Sequence, residues 1–508
     1  MNTIKSLVLG SAAALVAMTG AQAADLPLKA KAVEYVKVCS LYGAGFYYMP
    51  GTDTCIKLGG YLRVDTTFNG GIYDQPAYSG DNGQNNRYRD NFSSRSRFAL
   101  TVDTRTATEY GVVRTFAQGD FQFNNFGTSN PTAITAAPSA LGGANTALFS
   151  NPGGGYVAVE FAFIQFAGFT FGKSASAYAT PWHGYPGNNS SFLLGGHDTV
   201  TGVNNIQYTT QFGNGVSGTI GLDDPSVFNR TNLANATALN AQGAGSFGYA
   251  GVYMPDVVGN IRVDQAWGLF QLSGAVHEVR AAYYAPSGTA GAELSGHPDT
   301  KYGYSVMAAL QLKNLPTGPG DDIKIDASYS RGDTKNVIST SAASPSFLIY
   351  GAASGVGGAP GSYDSIGFGT TTDGIYAPGG SIQLTEAYGV RGAFNHNWSP
   401  FWSSSLFGSY SAVRYNGTAA TLICAGIAII PTPGSTCNPN FNVSQVGLVT
   451  RWTPVKNLTF SAEAMWFHLD QNFTGAALFA ANGPKPAAIY SFKDQDAYSL
   501  NVRVQRNF

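Results

Sequence analysis

The sequence predicts an all-β fold: a transmembrane antiparallel β-barrel of about sixteen strands, with long loops at one end only. Three observations point there. Apolar and polar residues alternate with period two along most of the chain. The segments joining these stretches are alternately short and long. The composition is poor in charge, at 12%, while aromatics reach 13% and glycines number 63. A soluble domain of ordinary make-up carries about 25% charged residues. Few charges with many aromatics and glycines suit a chain that shows an apolar belt to lipid, rings at the interfaces and tight turns.

The chain opens on a secretory signal, residues 1–23. Lys5 is its basic region, Leu7 to Met18 its apolar core and Ala21-Gln22-Ala23 its small-residue cleavage site. That core is shorter than the roughly 20 residues a spanning helix needs. Residues 24–55 read as a polar periplasmic lead-in and 56–508 as the barrel. The formal net charge of −1 gives no basic stripe for a nucleic acid.

Strands are expected at 56–68, 93–105, 110–121, 156–166, 169–176, 204–212, 216–223 and 258–266, then 269–281, 302–313, 323–330, 384–396, 402–415, 441–452, 458–468 and 495–508. The last is the clearest. Tyr498, Leu500, Val502, Val504 and Phe508 share one side, Ser499, Asn501, Arg503, Gln505 and Asn507 the other, and Arg506 alone breaks the apolar row. Short turns fall near Thr106, Gly168, Gly213, Trp267, Pro316, Pro400 and Pro454. Phe166, Phe169, Trp267, Trp398, Phe401, Trp402 and Trp452 flank them, where amphipathic rings would meet lipid headgroups. The stretch 339–380 reads as a low-complexity linker in one long loop.

A barrel of this size encloses water, so candidate functional residues are those on the polar rows and the loop that narrows the lumen. The polar rows hold Arg63, Arg95, Arg97, Arg114, Arg262 and Arg503, with Asp65, Asp103, Glu160, Asp264 and Glu463. Arginines facing carboxylates across a pore would set a transverse field; a merely solvated polar face is the plainer alternative for any one of them. Segment 177–203 carries Trp182, His183, Tyr185, Phe192, Leu193 and Leu194, more apolar surface than a loop in water needs. It is expected to fold inward and form the constriction, with Asp198 facing the arginines and His183 nearby. No metal or cofactor is expected: His183 and His197 lack a third ligand. Four cysteines form two local pairs, Cys39 with Cys55 and Cys424 with Cys437, and an exported chain would oxidise both.

The run from Gly45 through Pro50, Cys55, Gly59 and Gly60 to Arg63 resembles the opening of the alphaproteobacterial general porins, as do Ala24-Asp25-Leu26-Pro27 and Cys39. The resemblance implies a sixteen-stranded barrel, a homotrimer in outer-membrane lipid, an inward-folded third loop, a Cys39–Cys55 bridge and passive diffusion of small hydrophilic solutes and ions. Three alternatives stay open: a solute-specific channel for a sugar or anion, an outer-membrane lipid hydrolase, and a secreted β-sandwich adhesin. No nucleophile and base at telling spacing supports an enzyme.

Overall fold

The computed structural model describes residues 37–508, apart from 72, 79–82, 88, 90, 125–154, 198–199, 227–229, 241–244, 287, 339–345, 352–363 and 483–484. Residues 1–23, read as the signal, and Asp198 lie outside the described residues.

Sixteen strands close into one antiparallel barrel. They are β1 Thr54–Phe68, β2 Phe92–Thr108, β3 Gly111–Asn124, β4 Tyr156–Phe166, β5 Phe169–Ser174, β6 Val203–Gly213, β7 Val216–Asp223, β8 Asp256–Gln265, β9 Gly268–Val279, β10 Lys301–Lys313, β11 Asp322–Arg331, β12 Glu386–Ser399, β13 Trp402–Arg414, β14 Phe441–Val455, β15 Leu458–Gln471 and β16 Gln495–Asn507. Each pairs with its sequence neighbour, and β16 pairs with β1 from Tyr61↔Asn507 to Phe68↔Leu500. Closure leaves no open sheet edge, as a strand-built wall in hydrocarbon requires. At the seam the Phe508 amide donates to the Gly60 carbonyl, and the Phe508 ring stacks on Phe98 at 5.9 Å.

The alternation sorts the two faces. Leu58, Leu62, Val64, Phe98, Ile206, Ile220, Leu272, Leu406, Leu448 and Leu500 are exposed on the outer wall. Residues between them, such as Asp65, Arg97, Gln271, Ser405, Gln445 and Asn501, are buried inward. One end has tight turns. Asn214-Gly215 has φ of 50° and 73°, the two positive values that suit the twist of a two-residue hairpin. Trp267, Trp398, Phe401, Trp402 and Trp452 are exposed beside these turns. Below β1, Tyr47–Tyr48 extends the sheet, and the Cys39–Cys55 disulfide ties the lead-in to that strand.

The long loops are numbered L1 (69–91) to L8 (472–494) in chain order. The linker expected at 339–380 in L6 is corrected over its described part. Ser346–Gly351 and Ser365–Thr370 join strands of L7 and L8 in a five-stranded sheet, and Thr372–Tyr376 joins a four-stranded one with Asn232–Leu239 of L4. Helix α1, Gly417–Gly426 in L7, starts on an Asn416 side chain that accepts from the Ala419 amide at 2.8 Å, and Cys424–Cys437 braces that loop. The reason for this order is an apolar patch inside the wall. Phe441, Val443, Phe467 and Leu469 point inward at the long-loop ends of β14 and β15, where water would meet them. Phe347, Ile366 and Phe368 of L6 and Tyr78 of L1 cover them. Glycine makes the approach possible: a Cβ at Gly369 would lie 2.7 Å from the Phe441 ring. The long-loop mouth is thus largely capped.

Candidate functional site

Loop L3, residues 175–202, runs from β5 to β6 through the lumen. Its backbone is bonded to the opposite wall from Pro186 to Leu194. The Asn395 side chain donates to Pro186 O at 3.0 Å and Arg451 donates to Gly187 O. The amides of Asn189 and Ser190 both donate to the Glu463 carboxylate, the second at 3.0 Å. Gln445 accepts from the Leu194 amide at 2.8 Å and donates to Phe192 O at 2.9 Å. Arg391, itself paired with Asp326 at 2.9 Å, reaches Leu193 O at 3.2 Å. Gly187 sits so close to the wall that a Cβ would fall 2.6 Å from Ala393 Cβ. Trp182, Leu193 and Leu194 are buried against barrel residues, so the apolar run that marked this loop in the sequence is its contact with the wall.

Two cavities remain beside L3. An inner one of about 640 Å³ on the short-turn side is lined by Arg63, Arg97, Glu160, His183, Tyr185, Arg451 and Arg503, among others. An outer one of about 340 Å³ includes Tyr73, Arg97, Glu160, Lys173, Tyr185, His197 and Lys335. Arg97, Glu160, Tyr185, Ser191 and Val200 border both cavities. The throat therefore lies between the β2–β4 wall and the L3 segment around Tyr185.

The expected site residues part company here. Arg63, Arg97, Glu160 and His183 face the water-filled space. Arg95 and Asp65 do not: each is only 2% exposed. They are locked in a square of charges with Arg503 and Asp74. Arg95 binds Asp65 at 2.7 Å and Asp74 at 3.5 Å, and Arg503 binds both aspartates. Asp74 comes from L1, and Thr67 and Asn501 also donate to it, each at 2.9 Å. An irregular loop residue leaves no periodic trace, so its arrival over the arginines was not legible. Arg97 pairs with Asp120 at 2.7 Å and stands 3.9 Å from Glu160. A β-bulge between Gln118 and Gly119 sets the register that turns Glu160 inward. Arg114 belongs to neither group: it pairs with Asp103 at 3.0 Å beside the β2–β3 turn, as does Arg105 at 3.1 Å. Arg451, Lys173, Lys324 and Lys335 also line the cavities, and nothing in the sequence around them sets them apart as lumen groups. Among the described residues no group of three or more His, Cys, Asp or Glu side chains converges as a metal site.

Residues 25–501 match the family described as the porin subfamily. The chain belongs to this family. Porin Omp2b of Brucella abortus (strain 2308) is 36% identical over 272 residues, which is 52% of this chain and 63% of that protein. Porin Omp2b of Brucella melitensis biotype 1 gives the same figures. The match thus spans less than two thirds of these curated relatives. Among solved structures, the outer membrane channel DcaP of Acinetobacter baumannii superposes with a TM-score of 0.57 at 14% identity, over 91% of this porin and 99% of that chain, a likeness of fold.

Proposed function

We propose that this porin is a general diffusion channel of the bacterial outer membrane, passing small hydrophilic solutes and ions down their gradients. The observation that carries the reading is the throat: cavities of about 640 and 340 Å³ meet at Arg97, Glu160 and Tyr185 inside a wall whose outer face is apolar. The apolar belt suits the hydrocarbon core, and closure satisfies the backbone there. The short turns then face the periplasm, and the capped long-loop end faces outward. No chemical step is needed, since passage replaces part of a solute's hydration with polar wall groups. A homotrimer is proposed from family membership, with Cys39–Cys55 holding the lead-in on the periplasmic side.

The test is reconstitution. Purified protein in planar bilayers should give stepwise conductance, and in vesicles it should admit small sugars and exclude large ones. Cross-linking of the detergent-extracted protein should yield a trimer band. Vesicles that stay tight to salts and small sugars would sink the reading. A solute-restricted channel is the second reading. The observation favouring it is that described segments of L4, L6, L7 and L8 form two small sheets at the long-loop end of the barrel.

A further inference from the structure

Resting on the channel reading, we propose that the pore prefers anions and that Arg63 and Arg451 form a seat for phosphate- or carboxylate-bearing solutes in the inner cavity. The inference comes from which charges face water. Asp65, Asp74, Asp120 and Glu463 are at most 2% exposed. The first three lie behind the arginines they bind, and Glu463 is turned into the L3 amides. What lines the inner cavity is then Arg63, Arg97, Arg451, Arg503 and Lys324, against Glu160 and Asp322. The outer cavity adds Lys173 and Lys335 on the far side of the throat. A solute crossing L3 passes basic groups on both sides.

Arg63 and Arg451 differ from the other arginines here. Neither forms an ion pair among the described residues, whereas Arg97 and Arg503 are both committed to aspartates. Neutral partners hold them instead. Arg63 Nε donates to Gln505 Oε1 at 2.8 Å, with the guanidinium 4.5 Å from the centre of the Tyr61 ring. Arg451 Nη1 donates to Ser405 Oγ at 2.8 Å and Nη2 to Gly187 O. These contacts fix the side chains without neutralising them. Remaining N–H groups of a planar guanidinium match two oxygens of a phosphate or carboxylate.

Register places the basic groups on one stretch of wall. Arg63 is opposite Gln505 on β16. Arg503 and Arg451 both lie opposite Ser461 of β15, two strands apart. Strands are spaced about 4.8 Å apart, so Arg503 and Arg451 are about 10 Å apart at the backbone, and Arg63 and Arg451, three strands apart, about 14 Å. Both separations lie inside the Debye length of about 30 Å at 0.01 M salt and well beyond the roughly 3 Å at 1 M. Selectivity should therefore be plain in dilute salt and fade in concentrated salt.

The experiment uses the full-length mature protein in planar bilayers. The wild type is measured first, by zero-current potential across a tenfold potassium chloride gradient at low ionic strength. Chloride should permeate about threefold or more in excess of potassium, and less so near 1 M salt. Inorganic phosphate on the short-turn side should reduce chloride current saturably. Arg63→Gln with Arg451→Gln should abolish the phosphate block and bring the permeability ratio at least twofold nearer to unity. If that double variant fails to fold, or loosens L3 through the lost Arg451–Gly187 bond, Arg63→Gln alone serves, since among the described residues no hydrogen bond or ion pair joins Arg63 to L3. Conducting wild type with potassium preference, or block that survives loss of Arg63, would overturn the inference while leaving the channel reading intact. A wild type with no conductance would overturn both.

Discussion

Glu463→Ala isolates the tether between L3 and the wall. The carboxylate accepts two backbone N–H groups, from Asn189 and Ser190, in a site where Glu463 is 2% exposed. Truncation leaves both donors without a partner. Each buried orphan costs about 1–3 kcal/mol, so the L3 tip loses about 2–6 kcal/mol of its hold. The lower half of that range is expected, because the Asn189 side chain still reaches Ser461 Oγ at 2.9 Å and Arg503 still reaches Asn189 O at 3.2 Å. A loss of about 3 kcal/mol shifts the ratio of seated to lifted tip about a hundredfold. The assay is single-channel recording. Glu463→Ala should show added open-channel noise and brief higher-conductance excursions, and Glu463→Gln, which keeps one acceptor oxygen, about half the effect. The heat resistance of the barrel on gels should be unchanged, since no strand pairing is touched. A silent trace in Glu463→Ala, identical in amplitude and noise to wild type, would show that these two bonds do not hold the loop.

Other consequences can be checked separately. Phe347→Ala removes a fully buried ring that packs on Tyr78, Phe441 and Phe467 at 5.2–5.7 Å. It should cost the cap about 3–5 kcal/mol and raise conductance with the barrel intact. Burial pushes the Asp333 carboxyl, in L6, up to about 7, with Asp256 and Asp373 adding to the rise and His277 opposing it. The folded cap then holds a proton that an exposed carboxyl releases near pH 4. Stability contributed by this group falls as pH rises from about 4 to 7. Amide protection in 364–376, taken relative to the unprotected exchange rate at the same pH, should be greater at pH 5 than at pH 8, and Asp333→Asn should remove most of that difference in protection. Replacing Cys424 and Cys437 together by serine opens a loop with a sequence separation of 13, worth about 3 kcal/mol by chain entropy. Proteolysis within L7 should quicken while conductance stays near wild type.

Every barrel strand was legible because one physical constraint acts on all of them. Lipid outside and water inside force alternation, so Leu58, Leu62 and Val64 against Lys57, Arg63 and Asp65 could be sorted without a partner in view. The inward course of L3 was legible for a related reason: Trp182, Leu193 and Leu194 are too apolar for an exterior loop. What failed was pairing at a distance. The carboxylates that take Arg95 out of water include Asp74, on a loop with no period. The cap failed for a different reason. Its glycines and serines resemble linker composition, yet Gly369 is small because a ring lies against it. Arg114 was misplaced because alternation gives the face of a strand but not the height along it.

The join between β1 and β16 sets the order in which such a molecule can be built. The two partners are the earliest and latest staves to be synthesised, so the cylinder stays unrolled until all sixteen strands have emerged. A partly rolled sheet carries two raw borders of unbonded amides and carbonyls, each group costing several kcal/mol in hydrocarbon. Piecemeal insertion of hairpins into the bilayer is therefore forbidden energetically. Entry and circularisation must be a single event, or the growing borders must be shielded by something else until Leu500 finds Phe68 and the hoop is shut.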